Sequence, residues 1–387
     1  MDTKNIDSKY IANTYARFPL NIVKGKGCYA YDETGKKYID LGSGIAVNTF
    51  GYCDEMWENA VKDQMDTLSH CSNLYFSDPC AKLAQILCEK TGMKKVFFGN
   101  SGAEANECAI KVARKYAAEK KGKDYYNIIT LVNSFHGRTI TTLAATGQDV
   151  FHNDFLPLTE GFLYCKANDI EMLQDLVKNY KCAGIMFECV QGEGGVNPLD
   201  KKFVQEIDKL CKEQDILMIC DEVQTGNGRT GSLYAYMSYG VTPDVFTTAK
   251  GLAGGLPLGA CIIGEKAENV LTPGSHGSTF GGNPICCAGA ISILERIDDT
   301  LLQDVKKKNE YILKTLSDIE GVESITGMGL MLGIKTLKDA SRVLTECMEN
   351  GVLVLKAKDK IRLLPPLNIS MEDLKEGIEV LKKAISE

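Results

Sequence analysis

The residues best placed for chemistry in this sequence are an acid and an amine: Asp221 in "ILMICDEVQTGNGRTG" and Lys250 in "DVFTTAKGLAGGLPLGA". Asp221 closes an apolar run of strand length, and open α/β sheets gather their ligands at the carboxyl ends of such strands. Lys250 ends the next short apolar run, so both side chains can face one crevice. A carboxylate and an amine in that position could form a structural ion pair. They also suit pyridoxal phosphate, which needs a lysine for a Schiff base and an acid to keep its pyridine nitrogen protonated.

Three more stretches bear on this choice. In "VFFGNSGAEANECAIK" a strand runs into a turn loosened by Gly99 and Gly102, and a helix starts near Ala103. The free N–H groups of its first turn, with the Ser101 hydroxyl, suit a phosphate; a plain serine-capped helix reads the same way. In "NSFHGRT", Phe135 or His136 could stack on a flat ring and Arg138 could grip a carboxylate through two hydrogen bonds. The ordinary alternatives are core packing for Phe135 and a weak surface ion pair for Arg138. The third stretch, "GNGRTG", has the spacing of a dinucleotide-binding loop. Asp221 and Glu222 stand just before it and would repel a pyrophosphate, and the next strand arrives too soon for a βαβ crossover. A nicotinamide oxidoreductase therefore rests on this stretch alone.

The elements that must position these residues are strands alternating with helices. "KKVFF", "YNIITLV", "CAGIMFECV" and "ILMICDEV" are apolar runs of strand length. Helical patterns such as "DPCAKLAQILCEKTG" and "KKFVQEIDKLCKEQ" lie among them. This rhythm predicts an α/β fold, a mostly parallel sheet flanked by helices on both faces. Beyond about Thr300 the pattern changes to a helix, short strands and a final helix opened by a capping box at Ser370 and Asp373, which reads as a smaller α+β unit. "GCYAYDETGKKYIDLGSG" reads as a hairpin turning at residues 33–35. The expected division is an N-terminal segment (1–52) packing with the smaller unit, a large domain (53–300) and a small C-terminal domain (301–387).

Composition narrows the class. The 387 residues are 44% hydrophobic and 25% charged, the balance of a soluble globular protein, and the net charge of −7 with no basic stripe argues against a nucleic-acid partner. No apolar run is long enough to span a membrane, and the polar, mixed-charge N-terminus lacks the apolar stretch of a secretory signal. Fifteen cysteines, an odd number without a C-x-x-C pair, read as small buried hydrophobes in a reducing cytosol rather than a disulfide framework. Four histidines and no H-E-x-x-H give no expectation of a metal site.

Taken in order and spacing, "SGAEANE", "SFHGRT", "FECVQGEGGV", "CDEVQTGNGRTG", "TTAKGLAGGLPLGA" and "GSHGSTFGGNP" resemble the ornithine-type (class III) aminotransferases that depend on pyridoxal phosphate. The likeness runs from about Tyr29 to "IRLLPPLNIS". It implies an aspartate-aminotransferase-like fold, with Lys250 as the Schiff-base lysine and Asp221 as the partner of the pyridine nitrogen. It further implies Gln224 near the phenolic oxygen of the ring, Ser101, Gly102 and Ala103 around the phosphate, and Phe135 stacked on the ring. Thr279 would reach the phosphate of a neighbouring subunit, which implies a homodimer with the site at the interface, and Ser278 would line the substrate pocket. Arg138 would hold the distal carboxylate of the substrate and Arg362 the α-carboxylate of 2-oxoglutarate. Glu193 would pair with Arg362 while the amine donor is bound. The implied reaction is a ping-pong exchange in which the displaced Lys250 amine moves a proton between substrate and cofactor carbons.

Within the family the compact length, "GSHGSTFGGNP" and "GMGLMLGIK" resemble the acetylornithine branch, a cytoplasmic activity of arginine biosynthesis. Gly44 stands near a tyrosine found in ornithine aminotransferases and would leave room for an acylated amino group. Succinylornithine, 4-aminobutyrate, ornithine or a lysine-pathway intermediate are the alternative donors. Cys189 stands where a proline is common and Tyr52 where a histidine is common.

Overall fold

The computed structural model describes residues 3–386. After a short N-terminal helix, strands β1 (Ile22–Lys26), β2 (Tyr29–Asp32) and β3 (Lys37–Asp40) form an antiparallel ribbon. The turn between β2 and β3 is fixed by Asp32, whose Oδ1 accepts from the N–H groups of Thr34 (2.9 Å) and Lys36 (3.0 Å). An aspartate that bonds its own backbone two residues on is a turn-forming device, which explains the hairpin at this place.

The core is a seven-stranded sheet. Its members are β4 (Lys95–Gly99), β5 (Asn127–Leu131), β6 (Phe162–Cys165), β7 (Cys182–Phe187), β10 (Leu217–Asp221), β11 (Val245–Thr248) and β12 (Gly259–Ile263), ordered β4-β12-β11-β10-β7-β5-β6. Between β7 and β10 lies a small ribbon, β8 (Val190–Gln191) with β9 (Asn197–Pro198). Every residue of β7, β10, β11 and β12 is buried. Strands covered on both faces cannot alternate polar and apolar positions, so they appear as the unbroken apolar runs seen in the sequence. The β5, β6, β7, β10 and β11 neighbours pair in parallel, while β12 runs antiparallel to both β11 and β4.

The last part of the chain contributes β13 (Val322–Met328), β14 (Met331–Thr336), β15 (Val352–Leu353), β16 (Leu355–Ala357) and β17 (Lys360–Leu363). A second sheet is ordered β13-β14-β17-β16, and β15 leaves it to pair in parallel with β3. Val305, Leu332, Ile361 and Leu374 share a core with Ile39 and Leu41 of the N-terminal ribbon. The final helix, Met371–Ser386, is capped by Ser370, whose Oγ accepts from Asp373 N–H (3.0 Å). All fifteen cysteines are unbridged and most are buried. Among the described residues no helix is long and apolar enough to cross a membrane.

Candidate active site

A cavity of about 490 Å³ opens at the carboxyl ends of β10 and β11. These strands are parallel neighbours, with Asp221 opposite Thr247, so the end of one and the loop after the other meet at one place. Asp221 is buried. Its Oδ1 accepts from Val223 N–H (3.0 Å), and its Oδ2 from Asn106 Nδ2 (2.8 Å), with His136 Nδ1 also 2.8 Å away. Asn106 is itself held by Thr247, whose hydroxyl donates to its Oδ1 (2.6 Å). The carboxylate is therefore fixed by three groups from three segments.

Lys250 lies across the same cavity. The sequence placed it at the end of a strand. In the structure β11 stops at Thr248, and Lys250 begins a short 3₁₀ turn with φ +47°. A non-glycine residue in the left-handed region is strained, and such strain gathers at functional sites. It turns the side chain off the strand and into the cavity. Burial lowers the pKa of the amine, opposed by the negative charges of Glu193 and Asp221. Its Nζ has no hydrogen-bond or ion-pair partner among the described residues, so nothing holds it in the charged form at close range.

On one wall the Gly102–Lys120 helix presents its first turn. Ser101 is its N-cap, its Oγ accepting from Glu104 N–H (3.2 Å). Ser101, Gly102 and Ala103 line the cavity, and the first N–H groups of a helix have no intrahelical partners. Gly102 is required here by close packing: a Cβ would stand 2.7 Å from Cγ1 of Val223, which also lines the cavity. Phe135 is on the lining too, with its N–H donated to Glu188 Oε1 (2.8 Å).

The opposite end carries the cations. Arg138 lines the cavity, with its guanidinium 4.0 Å from the centre of the Phe151 ring and no carboxylate partner among the described residues. Arg362, on β17, reaches over from the second sheet. Its Nη1 donates to Glu193 Oε1 (2.5 Å) and to Gln224 Oε1 (3.3 Å), while its buried Nε has no partner. Burial would raise the Glu193 carboxyl, but the charge and hydrogen bond of Arg362 outweigh it and hold it below its ordinary value. Gln224 Nε2 completes the triangle at 3.4 Å from Glu193 Oε1.

Three expected residues lie elsewhere. Thr279 is exposed, in a separate surface depression with His70 and Leu74; Ser278 lines that depression as well, its Oγ accepting from Gly281 N–H (2.9 Å). Gly44 lines a second, mostly apolar cavity with Phe18, Ile45 and Leu355. Its φ is +61°, and a Cβ there would meet nothing nearer than 3.6 Å. The sequence reading assigned no role to Asn106, Glu188 or Thr247. Asn106 had a signal, lying one helical turn beyond Gly102 on the same face. Glu188 is buried, its two oxygens accepting from Phe135 N–H and Gly192 N–H (3.1 Å), and burial pushes it up to about 7. It ties the ring-facing loop to the loop of Glu193. Nearby, Cys189, Cys220 and Glu222 bring their ligand atoms within 4.8 Å of one another. The Glu222 oxygens are already engaged by the Thr225 hydroxyl and the N–H groups of Ala235 and Tyr236.

The same chain matches known proteins along nearly its whole length. The profile of the class III aminotransferases matches residues 10–385. The acetylornithine aminotransferase of Haemophilus ducreyi is 49% identical over 99% of this chain and 98% of its own length. That of Methanocaldococcus jannaschii is 41% identical over 99% and 98%. Among solved structures, the ornithine aminotransferase of Toxoplasma gondii superposes with a TM-score of 0.94 at 31% identity, covering 99% of this chain and 93% of that one. The N-acetylornithine aminotransferase of Stenotrophomonas maltophilia does so at 0.86 and 33%, covering 98% of each.

Proposed function

This chain belongs to the class III aminotransferase family, and on that premise we propose that it moves the terminal (δ) amino group of N-acetylornithine to 2-oxoglutarate. The products are N-acetylglutamate semialdehyde and glutamate, a step of arginine biosynthesis in the cytoplasm. The observation that carries this reading is the Glu193–Arg362 pair at the edge of the crevice that holds Lys250 and Asp221. Two substrates must use one site in turn, and they differ near the reacting carbon. A δ-amine donor brings no carboxylate there, so Arg362 stays with Glu193. The oxo acid brings its α-carboxylate, which takes the place of Glu193 and meets the unpartnered Nε of Arg362. Arg138, uncommitted to any carboxylate among the described residues, serves the far carboxylate of both.

Enzymes of this family work with pyridoxal phosphate, and the crevice fits it. The start of the Gly102–Lys120 helix, the Val223 side chain packed on Gly102 and the unpaired Lys250 amine all line one cavity with the Asp221 carboxylate. Ser101, Gly102 and Ala103 would hold the phosphate, Phe135 and Val223 the ring faces, Asp221 the pyridine nitrogen and Gln224 the phenolic oxygen. Bound there, the cofactor supplies an aldehyde carbon and a protonated ring that accepts the electron pair left when a substrate C–H bond breaks. Lys250 Nζ would take the proton from the amine-bearing substrate carbon and give it up to the cofactor's aldehyde-derived carbon, on the other side of the shared nitrogen. Asn106 and His136 keep Asp221 aimed, and its negative charge keeps the proton on the ring nitrogen.

We assign Thr279 and Ser278 to a homodimer. Thr279 is exposed outside its own cavity, beside the exposed side chains of Leu74, Tyr75, Phe76 and Phe280. An apolar patch of this kind is a mark of an interface, and a second copy covering it would bring Thr279 to the neighbouring crevice. The division at residues 52 and 300 is proposed with it.

The test of the donor is a panel with 2-oxoglutarate. N-acetylornithine should give the highest kcat/KM; a clear preference for 4-aminobutyrate, ornithine or succinylornithine would reassign the substrate. Arg362→Met should raise the KM for 2-oxoglutarate by about 10- to 100-fold, the worth of one or two charge-assisted hydrogen bonds, and leave the donor half-reaction near wild type.

The lowered pKa of Lys250 gives a pH prediction. Only the neutral amine captures the aldehyde cofactor, so capture by apoenzyme should speed up as pH rises. It should level off at a pH below the ordinary value for a free lysine side chain because the folded protein releases the proton early. Glu193 raises the Lys250 pKa by its charge, so Glu193→Gln should move the plateau to still lower pH. Stopped-flow absorbance against pH measures both; a midpoint at or above that of free lysine would contradict the assignment.

A further inference from the structure

The loop "GNGRTG" after Asp221 takes no part in the chemistry above, yet it touches both sides of the site. Asn227, with φ +57°, donates its Nδ2 to Thr248 Oγ1 (2.9 Å) and to the carbonyl of Ala249 (3.2 Å), the residue before Lys250. Two residues on, Arg229 crosses to the second sheet. Its Nη1 donates to the carbonyls of Leu330 (3.1 Å) and Pro365 (2.5 Å), and its own carbonyl accepts from Leu330 N–H (2.9 Å). Pro365 closely follows Arg362 at the end of β17. Leu330 leads into β14, where Gly333 pairs with Arg362. The loop thus grips the backbone next to the amine and the backbone next to the carboxylate-binding arginine.

Arg229 is an unusual choice for a structural contact. It is 3% exposed, burial lowers its pKa, and among the described residues no acidic neighbour opposes that loss. A buried cation without a carboxylate is costly, and an apolar side chain could fill the same space. An apolar side chain could not bond two carbonyls, one in the turn before β14 and one just after β17; a guanidinium can. The arrangement therefore favours fixed geometry over stability. Fixed geometry matters here because Arg362 must exchange Glu193 for a substrate carboxylate while its backbone stays in place.

We propose that residues 226–231 form a strut that sets the span between Lys250 and Arg362, with Arg229 as the positioning residue for Arg362. This rests on the roles given above to those two residues. Loss of Arg229 should loosen the carboxylate end of the site and leave the amine end, which Asn227 holds, nearly unchanged.

The test uses Arg229→Met and Arg229→Lys holoenzymes, quantified by bound cofactor so that unfolded molecules do not count. Calorimetry reads the affinity for glutarate, an unreactive dicarboxylate. Single-turnover absorbance reads the donor and 2-oxoglutarate half-reactions separately. Arg229→Met should weaken glutarate and raise the apparent KM for 2-oxoglutarate by about tenfold, as expected for a small misplacement of a binding group. The donor half-reaction should stay within about twofold of wild type. Arg229→Lys should move the same quantities in the same direction by less, and it decides the matter if Arg229→Met fails to accumulate. Unchanged glutarate affinity, or equal losses in both half-reactions, would overturn the strut while the function stands. A wild type that performs neither half-reaction would overturn the function and the strut with it.

Discussion

Lys250→Ala should lower the rate of amino transfer from N-acetylornithine to 2-oxoglutarate by about 10³- to 10⁴-fold, near the upper range for loss of a general acid–base group. The carboxylates in the cavity are already engaged. The Glu188 oxygens are held by Phe135 N–H and Gly192 N–H, Asp221 by Val223, Asn106 and His136, and Glu193 by Arg362. Among the described residues Lys250 is the one amine on the cavity wall and it is unbonded; the other unpartnered nitrogen base there is His136 Nε2, on a ring whose Nδ1 faces Asp221. The phosphate cradle at Ser101–Ala103 does not depend on Lys250, so the variant should still bind the cofactor without a covalent link. Single-turnover kinetics on the cofactor-loaded variant measures the loss. A small primary amine in the buffer should restore part of the rate, because it replaces the missing group and not a fold. A loss of less than about tenfold would mean that another group moves the proton.

Asp221→Asn should cost about 10²- to 10³-fold in kcat/KM for both substrates, the scale seen when one preorganised charge or hydrogen-bond partner is removed from a transition state. Asparagine keeps the size and can accept from Asn106 or from Val223 N–H. It lacks the negative charge that keeps a proton on the ring nitrogen. The loss should therefore fall on both half-reactions alike, unlike the one-sided loss expected for Arg362→Met. Steady-state kinetics with both substrates reads it. If the variant kept wild-type rates, or lost only the oxo-acid half, the charge at Asp221 would not be supporting the ring.

Much of this was legible in the sequence because parallel strands write themselves plainly. A strand buried on both faces has to be apolar throughout, so "CAGIMF" and "LMICD" mark β7 and β10 without alternation. The last residue of such a strand then marks the crevice, which is how Asp221 stands out. The phosphate turn is legible from glycine and serine before a long helical pattern, since Ser101 caps that helix. Lys250 was legible as a residue but not in its geometry. Its positive φ depends on Thr49, Asn227 and the loop around it, contacts too far apart in sequence to read.

Long-range polar partners stayed hidden for the same reason. Asn106 serves Asp221 from a helix 115 residues away in sequence, and Glu188 joins two loops only once β5 and β7 pair. Neither has a local pattern that separates it from a surface amide or acid. The "GNGRTG" loop has the spacing of a dinucleotide loop and nothing else of one. It is followed by the four-residue Tyr236–Tyr239 helix instead of a crossover helix, and its arginine faces backbone carbonyls instead of phosphate.

The most direct test of Lys250 as the anchor of the site is borohydride reduction of the purified, cofactor-loaded protein, followed by peptide mass mapping. Reduction should bleach the yellow colour and leave the cofactor attached at one position, Lys250. Attachment at a different lysine, or a colourless protein that takes up no cofactor when pyridoxal phosphate is supplied, would contradict it.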